Sequence, residues 1–245
     1  MNTKTCSIQM TSGSLWKNIL MFSLPLMLTQ VLEVLFNLSD VAIAGKFADY
    51  IALGAVGSTT LLVSLFTGFL IGMGSGVNVR AAHRLGAGDD NGVRLTVHSS
   101  LLVCSIIGLK TKSELLPSAV TYLRIYSLGM PAMAVYNFGS GVLSACGETR
   151  RPLVYLSIAG ALNVALNLFF VICCGMAADG VAIASVISQY LSAALIVIHL
   201  CRRKDCCALS PSRKYISRRA CADVLMLGIP AGIQNAVFAV ANLFV

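Results

Sequence analysis

The run Leu15–Ala44, LWKNILMFSLPLMLTQVLEVLFNLSDVAIA, decides the fold. Beyond Lys17 and Asn18 near its start it is mostly apolar, and it exceeds the ~20 residues a helix needs to cross a hydrocarbon core. Within that apolar body stand Gln30, Glu33, Asn37 and Asp40. Advanced by ~100° per residue, the four fall on one helix face about 80° wide. A carboxylate inside a membrane span is costly unless it is paired, hydrated or protonated. The stripe therefore reads either as polar glue against a neighbouring helix or as a functional site. For Asp40 the functional reading is favoured, because two acids on one stripe are expensive as glue alone. The competing reading puts Asp40 at a solvated helix end beside Lys46.

The rest of the chain has the same character. It is 57% hydrophobic and only 11% charged, with a mean hydropathy of +0.81. A soluble domain carries about 25% charged residues, so lipid must be the solvent for much of this exterior. Further apolar runs cover Ile51–Val79, Leu95–Leu109, Pro117–Ala145, Leu153–Met176 and Gly180–Leu200, and a last one starts near Asp223. The third is short: as a helix it would rise only about 22 Å, against a core of ~30 Å. The polar start, Met1 to Ser14, has no cleavable-signal pattern, and the first span is expected to stay in the membrane.

The formal charge of +8 does not point to nucleic acid, because the basic residues lie in short clusters between apolar runs. With a cytoplasmic N-terminus, the outside holds only Lys46, Lys110, Lys112 and Arg124 of the 18 Lys and Arg. That is a strong positive-inside bias, and it requires the third run to cross. Cys104, Cys173 and Cys174 read as small apolar fillers. Cys201, Cys206 and Cys207 lack the paired spacing of a zinc site. A shift of 205 residues lays Pro25 on Pro230, Gln30 on Asn235, Asn37 on Asn242 and Leu38 on Leu243. Six crossings between the copies give parallel repeats, an arrangement found in secondary transporters.

Other spans carry polar pairs one turn apart: Asn163 and Asn167 in the fifth, Ser185 and Gln189 in the sixth. Oxygen ligands of this kind beside one carboxylate can host a proton or a hard cation such as Na⁺, or can simply pack helices. No strand precedes Gly72-Met73-Gly74-Ser75-Gly76 or Leu85-Gly86-Ala87-Gly88-Asp89, so neither is a phosphate loop. Close helix approach and a following turn explain them better. Pro25 and Pro131 are candidate kinks. His83, His98 and His199 are scattered and fit no hydrolase constellation.

Together these stretches resemble the multidrug and toxic compound extrusion (MATE) family. The likeness is carried by Leu24-Pro25-Leu26, by Phe36-Asn37-Leu38-Ser39-Asp40 and by both glycine-rich segments. It continues through Tyr122-Leu123-Arg124-Ile125, Gly147-Glu148-Thr149-Arg150-Arg151-Pro152, Asn163 to Asn167, and Gly180-Val181-Ala182-Ile183-Ala184-Ser185. The resemblance implies a twelve-helix antiporter of two lobes that exports organic, often cationic, compounds against H⁺ or Na⁺. It implies that Asp40 is a coupling-ion residue, with Asn163 and the Ser185 hydroxyl as partners and no other cofactor. Two departures stand out: Asn167 occupies a position where the family has Asp, and a helix end and loop are missing between Leu109 and Lys110.

The expected architecture is thus an all-α membrane protein, a six-helix transporter lobe plus the start of a seventh helix. Residues 1–14 would be a polar cytoplasmic N-terminus, 15–200 the lobe, 201–222 a basic cytoplasmic inter-lobe loop, and 223–245 the truncated first helix of a second lobe. The expected setting is the plasma or inner membrane, with the lipid bilayer, a small organic substrate and the absent second lobe as partners, and no nucleic acid. The expected coupling-ion site is Asp40, Asn163, Asn167 and Ser185, with Na⁺ as the one metal considered. Gln30, Glu33 and Asn37 form a supporting stripe, and Glu33 would supply the charge that Asn167 lacks. Competing readings are a lipid-linked precursor flippase of the same superfamily, for which Arg124 is the near-membrane basic candidate, and an inactive fragment. A membrane-embedded enzyme is disfavoured by the lack of a His/Asp/Glu constellation.

Overall fold

The computed structural model describes residues 15–47, 50–109, 117–209 and 217–241. The polar start 1–14, Lys110 and Lys112, Arg213 and Lys214, and the repeat positions Asn242 and Leu243 lie outside the described residues. Seven α-helices follow one another, with no strand among the described residues: α1 (Leu15–Phe47), α2 (Tyr50–Gly86), α3 (Asp90–Leu109), α4 (Pro117–Ala145), α5 (Arg150–Leu168), α6 (Ala178–Arg202) and α7 (Arg218–Ala241). A π-helical turn, Phe169–Cys173, prolongs α5. Pro25, Pro131 and Pro230 all lie inside helices that continue past them.

The third helix is longer than its apolar run. It starts at Asp90 and has 20 residues, a rise of about 30 Å. The reason is local. The chain turns through Gly88 (φ 69°), and Asp89 then caps the new helix, its Oδ1 accepting from the Gly92 N–H at 2.9 Å. That bond, and the Arg84 guanidinium beside it, hold the Asp89 carboxyl below its ordinary range. The cap therefore loses its charge only at more acid pH than an ordinary aspartate would.

Helix α2 is the hub. It packs most extensively on α7 and on α4; α4 also packs on α6 and α3, α5 on α6 and α1, and α3 on α7. The core between them includes Val77, Val97, Phe138, Leu143, Val181, Ile196 and Leu200, all fully buried. Outside, large apolar side chains are bare: Trp16, Leu20, Met27, Val34 and Leu38 on α1, and Met226, Val237 and Phe238 on α7. Among the described residues, the stretches Trp16–Phe47, Arg150–Cys173, Ala178–Arg202 and Arg218–Phe238 are long and apolar enough to cross a bilayer. An exterior of this kind inverts the pattern of a water-soluble surface.

Lipid gives helices no hydrophobic reason to associate, so close packing must do it. At the α2–α7 seam, a Cβ on Gly72 would lie 2.3 Å from the Ala231 oxygen and 2.4 Å from the Gly232 Cα. One turn further on, a Cβ on Gly76 would lie 2.6 Å from the Gly228 Cα. The seam ends in ionic contacts: Asp223 pairs with Arg80 and lies 3.7 Å from Arg84, which also holds Asp89 at 2.5 Å. Ser99 Oγ on α3 accepts from the Ser217 N–H at 3.3 Å. Between α4, α5 and α6, Glu148 is met by Arg203 at 2.5 Å and Arg151 at 3.2 Å. These clusters gather at the helix ends that alternation places on one side of the bundle.

A second close approach positions α1. The Phe36 ring lies over Gly160 of α5, where a Cβ would sit 1.7 Å from its Cζ. That contact sets Asp40, one turn after Phe36, level with Asn163 and Asn167, one and two turns after Gly160.

Gly72→Leu and Gly160→Val should each lower stability by about 1–3 kcal/mol, since neither seam has room for a side chain. Gly86→Ala, where nothing lies within 4 Å, should stay within about 0.5 kcal/mol. Thermal or denaturant unfolding of the purified protein in detergent measures all three. Equal midpoints for Gly72→Leu and Gly86→Ala would refute the seam argument.

Candidate functional site

Three helices deliver the site. Asp40 comes from α1, Asn163 and Asn167 from one face of α5, and Ser185 from the first half of α6. All four are buried, Asn167 completely and Asp40 to 8% exposure. Asn167 Nδ2 donates to Asp40 Oδ1 at 2.6 Å, and the Ser185 hydroxyl donates to Asp40 Oδ2 at 2.9 Å. Asn167 Nδ2 also donates to Asn163 Oδ1 at 3.2 Å, and Asn163 Nδ2 donates to Ser185 Oγ at 3.2 Å. Each carboxylate oxygen thus has its own donor, and the donors are themselves tied together.

One atom is left over. Asn167 Oδ1 is buried and has no hydrogen-bond partner among the described residues. The amide has committed its donor group to Asp40 and Asn163, so its acceptor faces nothing that can donate. A buried carbonyl oxygen beside a carboxylate is an acceptor of the kind that can take a proton donor or a hard cation.

Lys46 has turned toward the Phe47 ring, 5.5 Å from its centroid. The bonds from α5 and α6 therefore replace the reading of Asp40 as a solvated helix end beside Lys46. The expected residues Asp40, Asn163, Asn167 and Ser185 are brought together, whereas the supporting stripe is not part of their network. Asn37 donates to the Glu33 backbone oxygen at 2.9 Å, one turn back on its own helix. Glu33 has no side-chain bond to the four.

Asp40, Asn163 and Ser185 border a cavity of about 690 Å³, counting the space open to solvent, whereas Asn167 lies behind them and does not line it. Its walls include Phe36, Tyr126, Met133, Tyr136 and Leu156, with Thr67 and Gln189 as polar points. A second cleft of about 1300 Å³ opens between α1, α2 and α7, bordered by Gln30, Thr59, Tyr122, Asn235 and Phe238. Glu33, Asn37, Asp40, Thr67 and Ile71 line both spaces, so this part of α1 and α2 is the wall between them. Gln30 reaches only the cleft.

Sequence reasoning missed the aromatic wall. Tyr122 and Tyr126 stack at 5.8 Å, and Tyr136 donates to the Pro152 oxygen at 3.1 Å. Spaced by four and ten residues along α4, they look like ordinary core in one sequence; the available signal was their clustering on a span that otherwise favours small residues. Among the described residues, no group of three or more His, Cys, Asp and Glu side chains is placed to hold a metal ion.

Comparison with known proteins gives this arrangement a context. The sequence matches the MatE family over residues 25–111 and 105–169. It is 27% identical over 244 residues to the probable multidrug resistance protein YpnP of Bacillus subtilis, covering 93% of this chain and 54% of that protein. It is 26% identical over 251 residues to the probable multidrug resistance protein NorM of Thermotoga maritima, covering 91% and 52%. Among solved structures it resembles the outward-facing conformation of a multidrug resistance MATE family transporter of the MOP superfamily, with a TM-score of 0.86 and 25% identity. That match covers 99% of this chain and 58% of the other. A MOP superfamily transporter from Pyrococcus furiosus shares the fold with a TM-score of 0.86 at 24% identity. The chain spans about half the length of the curated relatives it matches. With its bundle, seams and buried polar cluster, this multi-pass helical membrane protein belongs to the MatE family.

Proposed function

We propose that the chain forms one lobe of a secondary active efflux antiporter, exporting organic, often cationic, compounds in exchange for H⁺ or Na⁺. Asp40, Asn163, Asn167 and Ser185 are its coupling-ion site. The second half that the relatives possess completes the transport path, and the assembly sits in the cell membrane with its N-terminus cytoplasmic. Relatives named as multidrug resistance proteins support the export reading. One observation carries the coupling site: a buried carboxylate bonded from two other helices, with the Asn167 carbonyl beside it unpartnered.

The chemistry follows from donors and acceptors. Ionised, Asp40 can only accept, and it takes one bond from Asn167 and one from Ser185. A proton on either oxygen makes that atom a donor and sets it against the donor it faces. The amide or the hydroxyl must then reorient, and Asn167 holds its free carbonyl in reserve. A Na⁺ ion would demand oxygens instead, and Asp40, Asn163, Asn167 and Ser185 can each present one. Either cation changes the bonds between α1 and α5 and between α1 and α6. It therefore favours one packing of the lobe over another by its differential affinity for the two.

Asp40→Asn in the whole transporter should reduce ion-driven efflux from membrane vesicles to that of vesicles lacking the protein. Retained antiport would remove Asp40 from the coupling role. Asn167→Asp places a second carboxylate against the first and should shift the coupling preference toward Na⁺, read as a rise in Na⁺-stimulated efflux at alkaline pH. An unchanged Na⁺ response would show that Asn167 does not set the ion preference.

A further inference from the structure

Glu33 remains after the coupling site has been assembled, and it does not belong to that site. It stands two turns before Asp40 on α1, roughly 10 Å away along the axis. Its partly buried carboxylate has no hydrogen bond and no ion pair among the described residues, although it lines both the 690 Å³ cavity and the α1–α2–α7 cleft. Among the described residues, no Lys, Arg or His borders either space. A carboxylate in an apolar wall without a counter-charge leaves an electrostatic deficit that a bound cation would fill.

Asp40 is poorly suited to fill that role for a bulky ligand. Both its oxygens are occupied, one by Asn167 and one by Ser185, and it is nearly closed to solvent. Glu33 is the opposite case. Around it the cavity offers the Phe36 ring one turn along α1, Tyr126 and Tyr136 from α4, and the Met133 thioether. Aromatic faces and a soft sulfur beside a carboxylate suit a cation spread over an apolar body.

We propose that Glu33 is the specificity-determining residue of this transporter: it binds the charged centre of an amphipathic organic cation from either side of the α1 wall, while Asp40 is reserved for the coupling ion. The assignment rests on the efflux reading above, but it divides the two acids of the stripe between two tasks. It replaces the expectation that Glu33 compensates for the charge missing at Asn167. Because the same carboxylate borders cavity and cleft, a cation passing between them keeps its counter-charge throughout.

The test is equilibrium binding of tetraphenylphosphonium to the purified 245-residue chain in lipid nanodiscs, with neutral triphenylphosphine oxide as the uncharged comparison. Glu33→Gln should weaken tetraphenylphosphonium binding by about tenfold or more and change triphenylphosphine oxide binding by less than about twofold. Glu33→Asp, which keeps the charge, should restore part of the loss. A merely structural role would lower both ligands together and would not be rescued by Asp. Equal tetraphenylphosphonium binding by Glu33→Gln, parallel loss of both ligands, or no binding by the unaltered chain would overturn the proposal. Failure of the efflux reading is separately visible: Glu33-dependent cation binding without any ion-driven efflux by the whole transporter would remove the antiport and leave this site standing.

Discussion

A carboxylate that water cannot reach has to be solvated by the protein, and Asp40 makes that demand in the middle of an apolar bundle. Its two oxygens need donors from elsewhere, because its own helix has used its amide groups in backbone bonds. The donors come from α5 and α6, which fixes the rotation of both helices relative to α1. Everything else near the site follows from that rotation: the Asn163–Ser185 bond, the direction of the Asn167 amide, and the cavity that α1, α5 and α6 share with α2 and α4.

Meeting that demand requires helices that can approach closely, and the chain supplies this where side chains are smallest. Gly160 admits the Phe36 ring and brings α1 within bonding distance of α5. The α2–α7 seam uses the same device on a longer scale, then ends in the paired charges of Arg80, Arg84 and Asp223. Both seams are made of backbone in contact with backbone or ring, so neither can slide a fraction of a turn without a clash. The polar cluster is therefore as rigid in position as it is restricted in bonding.

Much of this was legible in the residues. The length of Leu15–Ala44 and the scarcity of charge required membrane-spanning helices, and the i, i+4 spacing of Asn163 and Asn167 placed both on one face. The glycines after Phe69 were readable as a close-approach surface, though not their partner, since nothing local to α2 names α7. That α1, α5 and α6 meet at Asp40 came from resemblance, because a polar pair on one helix does not reveal which neighbour it faces. Helix ends were misread for a physical reason: apolar runs mark the hydrocarbon core, whereas Asp89 and the residues before Asp223 extend helices beyond it through caps and ion pairs. The tyrosines of α4 were invisible as a site, since buried aromatic rings are the normal content of a core.

The unpartnered oxygen of Asn167 has a consequence in shape. An amide turned end for end fills the same volume, yet it exchanges a donor for an acceptor. A carboxylate in the family's usual place has no such second face, since both its ends accept. At a site walled by glycine contacts that tolerate no swelling, Asn167 can reverse the polarity it shows its neighbour while leaving the packing untouched. The position thus behaves as a two-sided tile: fixed in outline, and carrying its information only in which side is up.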